Sequence, residues 1–315
     1  MTEIAILDDY QHAALASADW SPVSARAQIT VFHDHLDDEH TLVARLAPFD
    51  ALSIMRERTH LPRQVLERLP NLRFIASTGG ANPAIDLEAA RDHRIVVSFT
   101  GGAGNGAPEL TWALILAAAR QLPAEVGQLR GGAWQNGVGL DLEGQTLGIV
   151  GLGKIGRRVA AVANAFGMNV IAWNPRLTDE AAAAAGARRV DKDELLRTAD
   201  WVSLHLALVP ETRGVIGADE FALMKRTAWL VNTARGPLVD EAALIGALRA
   251  RDIAGAALDV FDREPLPVDH PLRTLPNVVA TPHIGFVTQD TYRTFYGQTV
   301  ENLLAWMDGA PIRVS

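Results

Sequence analysis

Between residues 146 and 173 four stretches follow one another: TLGIV, GLGKIG, RRVAAVANAFG and NVIAW. They read as strand, glycine-rich turn, amphipathic helix and second strand. This order leaves few folds open. Two strands joined through a helix in about thirty residues form a parallel crossover unit, and such units assemble into parallel sheets with helices on their faces. Gly151, Gly153 and Gly156 supply G-x-G-x-x-G at the turn. The first glycine permits the tight bend, the second lets a ligand approach the backbone, and the third lets helix and strand pack closely. A tight strand–helix turn without a ligand is the bland alternative. The flanking strand, helix and second strand favour a pyrophosphate site at the helix N-terminus, where backbone N–H groups are unpaired.

About twenty residues past this motif, an acid is expected to accept hydrogen bonds from the adenosine ribose. The chain reads Ala172-Trp173-Asn174-Pro175-Arg176 instead. An aspartate there repels a ribose 2′-phosphate by roughly 4 kcal/mol at about 4 Å and an effective dielectric near 20. Asn174 removes that repulsion, and Arg176 is a two-pronged phosphate donor within reach. The expected cofactor is therefore NADP or NAD, with NADP(H) favoured.

Strand–helix alternation extends through the whole chain. In the first hundred residues the strand candidates are 4–7, 29–32, 51–55, 72–77 and 94–99, with amphipathic stretches such as LPRQVLERL between them. A glycine-rich break at 100–108, TGGAGNGAP, ends in Pro108 and precedes a helix over 108–122. The second series holds strands at 146–150, 169–173, 201–206, 228–232, 254–260 and 277–280. Residues 288–309 read as one helix stopped by Gly309, and the alanine-rich 180–187 ends at Gly186. With 315 residues, two domains are expected. The fold class is α/β: two doubly wound parallel-sheet domains.

The totals exclude several functions. There is no cysteine, which removes disulfides and thiolate catalysis. Net charge is −8 with no basic run, which argues against nucleic acid or an anionic membrane as partner. The acidic N-terminus MTEIAILDDY reads as a first strand and not as a signal peptide. The longest apolar run, LTWALILAAA, is too short to span a bilayer. A cytoplasmic location is expected.

Ligands of open parallel sheets bind outside the carboxyl ends of the strands. Arg235 follows the strand ending at 232, Asp259 stands near the end of the next with Glu264 after it, and His283 follows the last. Each alone has an ordinary reading, as a surface cation, a loop acid or a structural histidine. Together they are what reduction of a 2-keto acid requires. Arginine clamps the substrate carboxylate with two hydrogen bonds. Histidine protonates the ketone oxygen as hydride arrives. Glutamate orients the imidazole. Asp259 sits deeper and is expected at the nicotinamide end.

LGIVGLGKIG, HLALVPETRGVIG, MKRTAWLVNTARGPLVDEAAL, GAALDVFDREPLPVDHPL and NVVATPHIGF resemble, in order and spacing, the D-isomer-specific 2-hydroxyacid dehydrogenases, glyoxylate and hydroxypyruvate reductases among them. The likeness is dense from about 145 to 290. It implies two flavodoxin/Rossmann-like domains with the active site in the cleft between them. Residues 1–101 plus 290–315 would form the discontinuous substrate domain and 102–289 the NAD(P)-binding domain. It places the catalytic set on Arg235, Glu264 and His283. Gly79, Gly80 and Arg235 become the substrate contacts. The candidate cofactor contacts are Gly151, Gly153, Lys154, Ile155, Gly156, Asn174, Arg176, Thr212, Thr233 and Asp259. It implies a homodimer with the 108–122 helix in its interface, a small 2-keto or 2-hydroxy acid as substrate, and no metal. The chain departs from the family at Ala207, where many members have proline. It also departs at Gly79-Gly80-Ala81-Asn82-Pro83, where many have G-x-G-x-D in a loop whose N–H groups meet the substrate carboxylate. With the sequence ending at Ser315, the chain is expected to lack the regulatory extension of many phosphoglycerate dehydrogenases.

Two other activities fit the same residues: a dinucleotide-sensing regulator without catalysis, and a dehydrogenase of another small anion such as formate or phosphite. HDHLDDEH at 33–40 holds three histidines among four acids but is expected to be a solvated loop and helix start. Trp134 is expected to pack or to border the cleft, and Arg56 and Arg58, at the end of a strand, are secondary candidates to line it.

Overall fold

In a computed structural model the chain is described over residues 1–102 and 104–315; Ala103, inside the glycine-rich break, lies outside the described residues. The chain divides into two compact units, residues 1–104 with 286–315, and residues 105–285.

The first unit is built on a five-stranded parallel sheet: β1 (Thr2–Ile6), β2 (Ala27–Val31), β3 (Ala51–Ile54), β4 (Phe74–Ser77) and β5 (Val96–Phe99), in the order β2-β1-β3-β4-β5. Residues of β3 and β4 are buried throughout. That is why these strands read as unbroken apolar runs and not as an alternation. Helices cover both faces. One face packs Leu42, Val43, Leu66 and Ala89 against Leu52 and Ile75. The other receives the C-terminal helix Gln289–Met307 through Phe295, Tyr296 and Leu303. Trp306 of that helix stacks on Phe74 with ring centroids 5.0 Å apart. Asp38 and Asp86 cap two helix N-termini by accepting from Thr41 N–H (2.9 Å) and Ala89 N–H (2.8 Å).

The second unit carries seven parallel strands: β6 (Thr146–Val150), β7 (Asn169–Trp173), β8 (Arg188–Arg189), β9 (Trp201–Leu204), β10 (Trp229–Asn232), β11 (Gly255–Leu258) and β12 (Val278–Ala280). Their order is β12-β11-β10-β9-β6-β7-β8. The order reverses between β6 and β9, which makes that junction the switch point where such sheets bind ligands. The helix Gly106–Ala119 buries Trp112, Leu114 and Ile115 in this unit's core, against Leu147 and Val231. The next helix, Leu122–Arg130, buries nothing. Among the described residues no helix is long and apolar enough to cross a membrane.

Candidate active site

The glycine turn lies at the switch point, directly after β6. Gly151 has φ +106°, a conformation closed to most side chains, and a Cβ there would stand 2.7 Å from the backbone of His205 and Leu206 after β9. A Cβ on Gly156 would meet the Gly151 carbonyl oxygen at 2.3 Å. Gly153 is different: nothing lies within 4 Å of the position a Cβ would take. The turn therefore presents one open, side-chain-free backbone position where the helix Lys154–Ala165 begins. A pyrophosphate fits such a cradle, held by helix N-terminal N–H groups. Lys154 and Ile155 are exposed beside it.

Asn174 follows β7, and its Oδ1 accepts a hydrogen bond from Arg176 N–H at 2.9 Å. A backbone N–H only donates, so this contact assigns the amide oxygen and leaves the NH₂ as the pole not engaged in it. Arg176 is exposed.

The three strand ends lie side by side on β10, β11 and β12. After β10, Asn232 Nδ2 donates to Arg235 O at 2.9 Å, and its Oδ1 accepts from Ala234 N–H at 3.1 Å. One buried amide thus shapes the turn that presents the half-buried Arg235. Nothing in the spacing singled Asn232 out; a polar residue closing the apolar AWLV run was its only signal. After β12, His283 Nδ1 stands 2.5 Å from Glu264 Oε2. Glu264 Oε1 accepts from Phe261 N–H at 2.9 Å, so both carboxylate oxygens are fixed. The carboxylate makes Nδ1 the donor nitrogen of the ring, which fixes the tautomer of the neutral imidazole.

Asp259 has no exposed surface. Its carboxylate accepts from Thr281 Oγ1 (2.6 Å), Ile284 N–H (2.8 Å) and Gly285 N–H (2.8 Å). These bonds fold the 281–285 turn, in which His283 holds the uncommon φ of +52°. Burial pushes the Asp259 carboxyl up from its ordinary range, against the hydrogen bonds that pull it down. Expected at the nicotinamide end, Asp259 is bonded in the structure to the turn that carries His283.

Other expected cofactor contacts are also engaged within the protein. Thr212 donates its hydroxyl to Ala207 O at 2.7 Å and accepts from Val209 N–H at 2.9 Å, closing the turn after β9. Thr233 and Thr111 share a hydrogen bond of 2.7 Å. Thr111 also gives its proton to Ala107 O, so Thr233 donates to Thr111 and offers only lone pairs elsewhere.

In the first unit, Gly79 N–H donates to Thr100 Oγ1 at 2.8 Å. Of the two expected substrate-binding glycines, only Gly80 is exposed. Arg56 Nη1 lies 3.1 Å from where a Gly79 Cβ would be, and Arg58 Nη1 donates to Asp8 O at 2.8 Å. His35 of the histidine-rich loop bridges Asp8 (2.8 Å) and Asp37 (3.3 Å). Among the described residues no group of three or more acids and histidines is arranged to hold a metal. Trp134 is 76% exposed.

Known proteins resemble this chain closely. Residues 112–285 match the family model for the NAD binding domain of D-isomer specific 2-hydroxyacid dehydrogenases. A D-3-phosphoglycerate dehydrogenase of Methanocaldococcus jannaschii is 42% identical over 256 residues, 80% of this chain but 48% of that protein. The chain thus spans about half the length of that relative. A glyoxylate reductase of Aeropyrum pernix is 41% identical over 280 residues, covering 85% of this chain and 83% of that protein. The crystal structure of a putative D-3-phosphoglycerate dehydrogenase from Ralstonia solanacearum superposes with a TM-score of 0.93 at 39% identity, over 100% of this chain and 97% of the other.

Proposed function

The chain belongs to the D-isomer-specific 2-hydroxyacid dehydrogenases, and from that premise we propose that it transfers hydride between a nicotinamide dinucleotide and a small 2-keto or 2-hydroxy acid. The observation that carries this reading is the Glu264–His283 pair, beside the Arg235 turn in the unit that holds the glycine cradle. The dinucleotide supplies the hydride. Arg235 grips the substrate carboxylate through two parallel hydrogen bonds. His283 delivers a proton from Nε2 to the ketone oxygen in reduction and takes it back in oxidation. Glu264 holds Nδ1–H and offsets the charge of the imidazolium. Asp259 holds the turn from which His283 reaches out.

For the cofactor we propose NADP(H) ahead of NAD(H). The remaining pole of Asn174 is a donor because its oxygen is committed to Arg176 N–H. A donor beside a guanidinium suits a 2′-phosphate, which only accepts at neutral pH. We further propose a homodimer formed through residues 122–140. Leu122, Val126, Leu129, Trp134, Val138 and Leu140 are all exposed there, on and after a helix with no buried residue. A stretch of exposed apolar side chains of this kind suits an interface.

The deciding experiment mixes the protein, each reduced dinucleotide in turn, and a panel of keto acids that includes glyoxylate and hydroxypyruvate. Loss of the reduced-nicotinamide absorbance is expected with at least one. No turnover on any member, with either dinucleotide, refutes the activity.

A further inference from the structure

Glu264 rides on a long excursion between β11 and β12, and a second carboxylate–imidazole pair closes that excursion. Glu241 is the first residue of the helix Glu241–Ala250. Its Oε1 accepts from His270 Nε2 at 3.0 Å, and its Oε2 accepts from Asp262 N–H at 3.3 Å. Leu272 N–H donates to His270 Nδ1 at 3.4 Å, which leaves Nε2 as the protonated nitrogen and fixes the direction of the pair. Both side chains are largely shielded, His270 at 17% and Glu241 at 21% exposure. One carboxylate therefore ties the start of the excursion to its end. Arg273 tightens it further by donating to the carbonyls of Pro267 (2.7 Å) and Leu266 (2.5 Å).

The tie lies next to the reacting groups. Phe261, the neighbour of Asp262, donates its N–H to Glu264, whose other oxygen meets His283. The turn after Arg235 is seated on the same backbone: a Cβ at Gly236 would stand 2.1 Å from the Phe261 carbonyl carbon. A shift of Phe261–Asp262 moves Glu264 directly and presses on the arginine turn.

We propose that Glu241, with His270, is a positioning residue for the proton donor: it fixes the excursion so that Glu264 meets His283. The proposal rests on the reading of His283 given above, and its test separates the two. Glu241→Ala removes both acceptors, Glu241→Gln keeps one, and His270→Asn breaks the pair from the other side. The first readout is the ¹H NMR resonance of the His283 Nδ1 proton in protein without dinucleotide, assigned by its disappearance in His283→Ala. The second is the steady-state rate.

In Glu241→Ala the resonance is expected to move or broaden. Its kcat should fall about tenfold, as small misplacements of a catalytic group do, with the KM for the dinucleotide within about twofold. Glu241→Gln should recover part of the rate. His270→Asn should show the same shift and loss, and it carries the test if Glu241→Ala does not fold. A folded Glu241→Ala or His270→Asn protein with the native resonance and native kcat overturns the proposal. A native rate in His283→Ala overturns the proton-donor reading instead, and leaves the resonance test standing.

Discussion

His283 Nδ1 and Glu264 Oε2 stand 2.5 Å apart, although 19 residues separate them in the chain. Neither partner is placed by local propensity. Glu264 is held through its other oxygen by Phe261 N–H. His283 sits in a left-handed turn whose amides are gathered by the buried Asp259. The contact is the meeting of two independently anchored loops, so each partner loses little rotamer freedom when a ligand arrives.

Removing either partner should affect chemistry more than binding. His283→Ala is expected to lower kcat by about 100-fold or more, the usual contribution of a positioned acid. Glu264→Gln keeps the shape and loses the charge, and should cost about tenfold. Steady-state kinetics on the best keto acid of the panel decides it, and a His283→Ala variant at the native rate removes His283 from the mechanism.

Cofactor choice should reverse at one atom. In Asn174→Asp the NH₂ becomes a carboxylate oxygen, which in the proposed cofactor site would face the ribose. Repulsion of a 2′-phosphate by up to roughly 4 kcal/mol predicts a shift in the ratio of kcat/KM from NADPH toward NADH of at least about tenfold. Measuring both cofactors on both proteins checks this. A native protein that already prefers NADH strongly refutes the reading of Asn174 and Arg176.

Acid sensitivity should trace in part to His205, which follows β9 at the switch point and pairs with Ser203 Oγ at 2.9 Å. Burial pushes its imidazole down from 6.5 to about 4. As pH falls, the unfolded chain therefore takes up this proton before the folded one does. The stability that His205 contributes is complete above pH 6.5 and is lost as pH falls toward 4. His205→Asn should flatten the decline of Tm across that window. Parallel Tm–pH curves for the two proteins exclude this group as a source of the decline.

Assembly should depend on the apolar stretch 122–140. Leu129 is 60% exposed on a helix that buries nothing. A charge there disrupts an apolar interface but costs a monomer almost nothing. Leu129→Asp is expected to convert dimer to monomer in light scattering, with the Tm of the monomer little changed. A native protein that is already monomeric at micromolar concentration refutes the interface.

Much of this protein is legible along the chain because parallel α/β architecture is written locally. Strands buried on both faces must be apolar runs, as IAI in β1, FIAS in β4 and TLGIV in β6 are, and the crossover helices between them must be amphipathic. The glycine turn is local as well. Gly151 and Gly156 answer steric demands made within six residues and just past a neighbouring strand, and Gly153 keeps the backbone open, so spacing together with the flanking strands and helix revealed it. The Arg, Glu and His could be nominated because a parallel sheet brings the carboxyl ends of all its strands to one edge.

What no reading of the chain supplied is the direction of the hydrogen bonds. Asp259 was expected to face a ligand, and its carboxylate is bonded to the turn bearing His283, 22 to 26 residues away. Thr212 carries its proton to Ala207, and Gly79 gives its N–H to Thr100. The missing carboxylate at Asn174 is legible from its identity, but only the fold shows its oxygen taken by Arg176 N–H, which leaves the NH₂ as its remaining pole. Residue identity determines that a group can donate or accept. Only the folded chain decides which partner comes within 3 Å, because that depends on loops anchored by residues far away in sequence.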